Sequence, residues 1–113
     1  MDKELLKGSL DIVLLIFLSK KYMYGYEIAK EIKDMTNNSY QISEGTLYPA
    51  LKRMEDKKFL ESFWEFVGEK DLKRKYYKIT KEGTIELQSK LDSWRVINNL
   101  IEKSLLKGVI NSE

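Results

Sequence analysis

The sequence predicts a mainly α-helical α+β fold, in which three helices precede a two-stranded β-hairpin and a long C-terminal helix follows it. Apolar residues recur at helical spacing in four stretches, and between the third and fourth the pattern changes to strand-like alternation over residues 61–79. The length of 113 residues suits a single domain. We expect residues 1–80 to form that domain and residues 81–113 to add the last helix.

The first two helices are predicted to supply much of the core. Residues 4–19 form a stretch that is apolar on most sides, which is typical of a buried helix. Its apolar run is seven residues long, far below the roughly 20 that a membrane span needs. Gly25 opens the second helix, which continues from Tyr26 to Met35 and ends in a polar loop at 36–39.

The third helix is predicted to begin after Ser43, which suits an N-cap, and to reach about Lys57. Its apolar back face consists of Leu47, Leu51 and Met54. Because proline lacks an N–H, Pro49 indicates either a start near Gly45 or a kink.

Residues 62–66 and 75–79 are strand candidates joined by a turn at 68–71, with Tyr76 and Tyr77 pointing to opposite faces. Thr80 is the expected cap of the last helix, which reaches about Leu106. This order of elements is that of a winged helix-turn-helix.

Composition excludes several function classes. The chain contains no cysteine and no histidine, so disulfides, Cys/His zinc sites and Ser–His nucleophiles are impossible. An enzyme would have to rely on carboxylates such as Glu44 or Glu55 with Tyr48, yet no paired acids and no glycine-rich phosphate loop occur. We therefore expect a non-enzyme without metal or cofactor. Acidic residues stand where a basic signal-peptide segment would be, which favours a cytoplasmic protein.

The third helix and the hairpin carry residue types that suit nucleic-acid contacts. Hydroxyl groups near the N-terminus of the third helix can form hydrogen bonds with base edges, and a glycine there permits close approach of the backbone. Two basic residues follow one turn later. Glu44 could accept a hydrogen bond from cytosine or interact favourably with the helix dipole. Residues 70–81 hold six bases against one acid, as expected of a wing that grips phosphates. The alternative for the third helix is an ordinary amphipathic helix with a solvated face. The alternative for the hairpin is a sheet edge whose lysines protect it from aggregation. The candidates are Ser43, Glu44, Gly45, Thr46, Tyr48, Pro49, Lys52, Arg53, Lys73, Arg74 and Lys75.

The last helix carries an apolar stripe that a small domain has little surface to cover. Leu87, Leu91, Trp94, Asn98, Ile101 and Leu105 follow a 4-3-4-3-4 spacing. We expect this stripe to pair with a second copy, with Asn98 fixing the register, while packing onto the same domain is the alternative.

Four segments together resemble the PadR family of bacterial transcriptional regulators, in particular its compact LmrR-like members. They are LLKGSLDIVLL at 5–15, YGYEI at 24–28, EGTLYPALKRM at 44–54 and RKYYKITKEG at 74–83, and Trp64 also fits. The resemblance implies a homodimeric repressor that binds a palindromic double-stranded DNA operator. The alternative is a winged-helix protein–protein adaptor without specific DNA binding.

The resemblance also implies an effector site at the dimer centre, where a tryptophan stacks on planar, drug-like molecules. This role maps onto Trp94, with few other aromatics nearby and Arg95 following directly, so a purely structural role in the dimer is equally open. The implied effector and dimer residues are Leu5, Gly8, Ser9, Ile12, Leu91, Trp94, Ile97, Asn98 and Ile101.

Overall fold

The computed structural model describes residues 2–69 and 72–110. Lys70 and Asp71 of the predicted turn, and residues 111–113 of the predicted C-terminal segment, lie outside these ranges. The elements are, in chain order, α1 (Lys3–Lys20), β1 (Met23–Tyr24), α2 (Gly25–Met35), α3 (Glu44–Asp56), β2 (Leu60–Val67), β3 (Leu72–Ile79) and α4 (Lys81–Ile110). The predicted fold class is confirmed.

The sheet has one strand more than the predicted hairpin. β1 pairs antiparallel with β3, Met23 opposite Tyr77 and Tyr24 opposite Tyr76, so the strand order is β1-β3-β2. β2 and β3 pair from Leu60–Ile79 at the base to Val67–Leu72 near the tip. β1 was missed because two residues are too short to show alternation.

Local side-chain contacts fix where the helices begin. The Asp2 carboxylate accepts from the backbone N–H groups of Glu4 and Leu5, at 2.9 and 3.2 Å, at the start of α1. The predicted cap of α4 is confirmed, because Thr80 Oγ1 accepts from Gly83 N at 2.9 Å. α3 starts at Glu44, one residue ahead of Gly45, and Pro49 lies within it.

Ser43 precedes α3 as predicted but does not cap it through its side chain. Its hydroxyl instead donates to Thr46 Oγ1 at 3.0 Å. The two hydroxyl groups are therefore hydrogen-bonded to each other at the exposed start of α3.

The core lies between α1, α2, α3 and the inner face of the sheet. Its most deeply buried side chains are Leu14, Leu15, Ile28, Leu51, Met54 and Leu60. The predicted back face of α3 is confirmed, since Leu47, Leu51 and Met54 are all buried. α3 is thus held by one side and leaves the other open to solvent.

α4 joins the core only near its start. Leu87 is buried and Leu91 packs against the core, whereas Trp94, Ile97 and Ile101 are 47%, 56% and 52% exposed. Packing onto the same domain therefore accounts for only the first part of the apolar stripe. Across residues 2–69 and 72–110, no helix has the length and apolar character of a membrane span.

Candidate nucleic-acid interface

The open side of α3 collects the residues predicted to contact DNA. Ser43, Glu44, Gly45, Thr46, Tyr48, Pro49 and Lys52 are all exposed, and Leu47, Ala50, Leu51 and Met54 are buried behind them. The buried side fixes the helix against the core. The exposed side can therefore enter a groove as a rigid surface.

Tyr48 is positioned by Gly25 at the start of α2. A Cβ on Gly25 would lie 2.8 Å from Cε1 and 2.8 Å from Cζ of the Tyr48 ring, so only glycine permits this approach. Tyr48 remains 43% exposed. The sequence predicted Gly25 only as the start of a helix, and its role in holding Tyr48 comes from the packing of α2 against α3.

The two bases of α3 differ in their surroundings. Lys52 is exposed and lies 3.6 Å from Asp56, one turn further along the helix. Arg53 Nη2 donates to Asp11 Oδ1 of α1 at 2.7 Å. Arg53 is therefore directed towards α1, while Lys52 is the freer of the two for a phosphate.

The structure divides the predicted basic cluster of the wing between two faces of the sheet. Lys73 lies opposite Phe66, Arg74 opposite Glu65 and Lys75 opposite Trp64. Because successive strand residues alternate, Lys73 and Lys75 share a face and Arg74 lies on the other. Arg74 stacks over the Tyr24 ring, with 4.5 Å between its Cζ and the ring centroid.

Lys75 links the wing to α3 instead of standing free. Its Nζ lies 3.8 Å from Glu55 Oε1, and the hydroxyl of Ser62 donates to the other oxygen of that carboxylate. Lys73 lies nearer the tip, with its Nζ 5.2 Å from the centroid of the Phe66 ring. Lys73 and Arg74 are therefore the more exposed bases of the three.

The outer face of the sheet carries an aromatic cluster. The rings of Phe63 and Tyr76 stack at 5.7 Å, and those of Tyr22 and Tyr24 meet Tyr76 edge-on at 5.3 and 5.4 Å. Tyr77 points the opposite way into the core, as predicted, and burial raises the pKa of its phenol, with Lys75 partly opposing this. The cluster stiffens the base of the wing, and it depends on the strand that the sequence did not reveal.

The predicted effector residues come together in a groove of about 590 Å³ between α1 and α4. Eight of the nine line it, namely Leu5, Gly8, Ser9, Ile12, Trp94, Ile97, Asn98 and Ile101. Leu91 instead packs against the core. Trp94 provides a flat aromatic surface beside the aliphatic side chains of the groove, whereas polar residues such as Glu86 and Ser89 line its rim.

A second groove, of about 580 Å³, separates α1 from the start of α3. Lys3 and Lys7 of α1 line it together with Ser43, Gly45, Thr46 and Arg53. Sequence reasoning missed these two lysines. The available signal was Lys3 in the first turn of a helix, where the dipole disfavours cations. Among the residues that the structure describes, no three acidic side chains gather as a metal site would require.

Comparison with known proteins agrees with this architecture. The sequence profile described as "Transcriptional regulator PadR-like family" matches residues 14–89. A PadR family transcription regulator from Clostridium difficile is 39% identical, with a TM-score of 0.75, over 87% of this chain and 99% of that one. A transcriptional regulator from Clostridium thermocellum is 35% identical, with a TM-score of 0.80, over 89% and 97%.

A more distant relative is the transcriptional regulator YqjI of Escherichia coli. It is 26% identical over 95 residues, which are 84% of this chain and 44% of YqjI. The chain thus spans less than half the length of that relative. Because the family profile covers most of the chain, the chain belongs to the PadR-like family of transcriptional regulators and is a DNA-binding regulator, not an enzyme.

Proposed function

We propose that the protein is a cytoplasmic repressor that binds a palindromic operator as a homodimer. α3 reads the major groove, and the wing holds the flanking phosphate backbone. The observation that carries the proposal is the division of α3 into a buried back face and an exposed face of hydroxyls, Gly45 and Lys52. Such a helix is held rigidly enough to carry base contacts.

Within the interface, we assign base contacts and phosphate contacts to different residues. Thr46 and Tyr48 project from the exposed face of α3 and are suited to hydrogen bonds with base edges. Lys52 and the exposed wing bases Lys73 and Arg74 are suited to phosphates. Arg53 and Lys75, which pair with Asp11 and Glu55, are assigned mainly to positioning α3 and the wing.

The part of α4 that leaves the core supports homodimerisation. Trp94, Ile97 and Ile101 are about half exposed and Leu105 is 66% exposed on one helix, and a second copy of α4 would cover them. In this arrangement residues 81–113 serve as the dimerisation segment. Two recognition helices related by a two-fold axis require an operator with two-fold symmetry.

The groove between α1 and α4 supports an effector function as a second proposal. Its volume of about 590 Å³ lies within the range of small-molecule sites, and Trp94 supplies a stacking surface. Titration of a Trp64→Phe variant with a planar aromatic cation should quench the remaining Trp94 fluorescence. Unchanged fluorescence in the dimer would restrict Trp94 to a structural role.

Selection of bound duplexes from a random-sequence library tests the proposed function. The enriched sites should contain an inverted repeat whose half-sites are about 10 bp apart, or a multiple of that distance. The Thr46→Ala variant should lower discrimination between the selected site and random DNA by about 1–3 kcal/mol. An absence of any enriched motif would favour the protein–protein adaptor.

A further inference from the structure

We propose that Lys3 and Lys7 of α1 form a second phosphate-binding support for the recognition helix, on the side of α3 that faces α1. The inference rests on the proposed function and extends it to an element that supplies no DNA contacts in the sequence-based assignment. Its ligand is the phosphate backbone of the same operator duplex.

The two lysines share a groove with the start of α3. They lie one helical turn apart on α1, both are exposed, and they line the groove together with Ser43, Gly45 and Thr46. A duplex that contacts the start of α3 therefore has its backbone close to this edge of α1. Long, flexible lysine side chains can reach such a backbone without an exact fit.

The charges around the groove support an anionic partner. Glu4 also lines it, but Arg53 lies on the opposite wall, and the Asp11 carboxylate near Arg53 is already engaged by that arginine. Asp2 accepts hydrogen bonds from the first turn of α1. Lys3 and Lys7 have no ion-pair partner within 4.0 Å among the described residues, so their charges are available.

The helix dipole does not account for a lysine in the first turn of α1. Cations near a helix N-terminus oppose its dipole, whereas the same residues near a C-terminus favour it. The chain itself offers a matched control pair. Lys103 and Lys107 have the same spacing and are also exposed, but they lie near the C-terminal end of α4. Lys3 thus lies in the one turn of α1 where the helix dipole disfavours a cation, and Lys7 follows one turn later.

The test compares the salt dependence of binding for the wild-type protein and four double variants, using a selected operator duplex and a random duplex. Lys3→Ala/Lys7→Ala should lower the slope of log K against log salt by about 3.6 on both duplexes, because the bound homodimer loses four contacts at about 0.9 each. Lys3→Arg/Lys7→Arg should keep the wild-type slope, and Lys103→Ala/Lys107→Ala should also keep it. Equal urea midpoints would show that all variants fold.

The possible failures are distinguishable. If Lys3→Ala/Lys7→Ala keeps the wild-type slope while Lys73→Ala/Arg74→Ala lowers it, the proposed phosphate contacts of α1 are wrong and the proposed function stands. If the wild-type protein itself shows no salt-dependent binding to either duplex, the proposed function fails, and the inference fails with it.

Discussion

Asp11 of α1 and Arg53 of α3 form an ion pair across 42 sequence positions, with 2.7 Å between Oδ1 and Nη2. The pair sets the orientation of an arginine that the sequence placed among the DNA contacts. It also connects the helix that lines the α1–α4 groove with the recognition helix. The position of Arg53 is therefore a property of the tertiary fold and not of α3 alone.

We predict a small but measurable coupling between these two residues. A double-mutant cycle of Asp11→Ala and Arg53→Ala, followed by urea unfolding, should give about 0.2–1 kcal/mol, because Arg53 is half exposed and solvent screens the pair. The same cycle on Lys52 and Asp56, which are 76% and 64% exposed and 3.6 Å apart, should give less. Equal coupling in both cycles would contradict the special role of the Asp11–Arg53 pair.

The contact between Gly25 and Tyr48 predicts that mutation of the glycine lowers stability and that a second mutation, at Tyr48, removes this loss. Gly25→Ala should destabilise the protein by about 0.5–1.5 kcal/mol, because the added methyl group meets the tyrosine ring and forces this half-exposed side chain off its rotamer. In a Tyr48→Ala background the ring is absent and the cost of Gly25→Ala should largely disappear. Urea unfolding of the four proteins measures this, and a cost that is the same in both backgrounds would exclude the steric explanation.

Gly83 in the first turn of α4 should tolerate substitution even less than Gly25 does. Its Cβ position is occupied by the carbonyl oxygen of Phe59, a backbone atom that cannot rotate away, so we expect Gly83→Ala to cost at least about 3 kcal/mol. Gly45→Ala is the control, because the nearest atom to its Cβ is 3.9 Å away and alanine favours a helix by up to about 1 kcal/mol. Unfolding free energies of similar size for the two variants would contradict this packing.

Tyr77 predicts a loss of stability at alkaline pH. Burial raises the pKa of its phenol in the folded protein, so the folded state retains the proton where the unfolded state, with a pKa of about 10, has lost it. This contribution is complete below about pH 10 and is lost as pH rises through the folded pKa. Relative to Tyr77→Phe, the wild type should therefore lose stability as the pH rises above about 10. A pH-independent difference in unfolding free energy would refute the assignment.

Local patterns in the sequence were sufficient for most of the fold. The back face of α3, formed by Leu47, Leu51 and Met54, follows from helical spacing, and the Thr80 cap depends on residues three positions apart. Both are short-range features that periodicity and side-chain chemistry encode directly.

The details of the interface required tertiary information. β1 becomes a strand only because β3 lies beside it, and the contacts of Arg53 with Asp11 and of Lys75 with Glu55 depend on how α3 meets α1 and the wing. Composition identified a basic hairpin and strand alternation separates Lys73 from Arg74, but only the structure shows that Arg74 stacks over the ring of Tyr24.

The central claim is that α3 and the wing form an operator-specific DNA-binding surface. The most direct test is the affinity of the purified protein for the DNA immediately upstream of its own gene, at 50 mM and 200 mM salt, beside a random duplex of equal length. We predict binding at least about a thousandfold tighter to the upstream DNA, with one dimer per site and a steep loss of affinity at the higher salt. Equal and weak binding to both duplexes would contradict it.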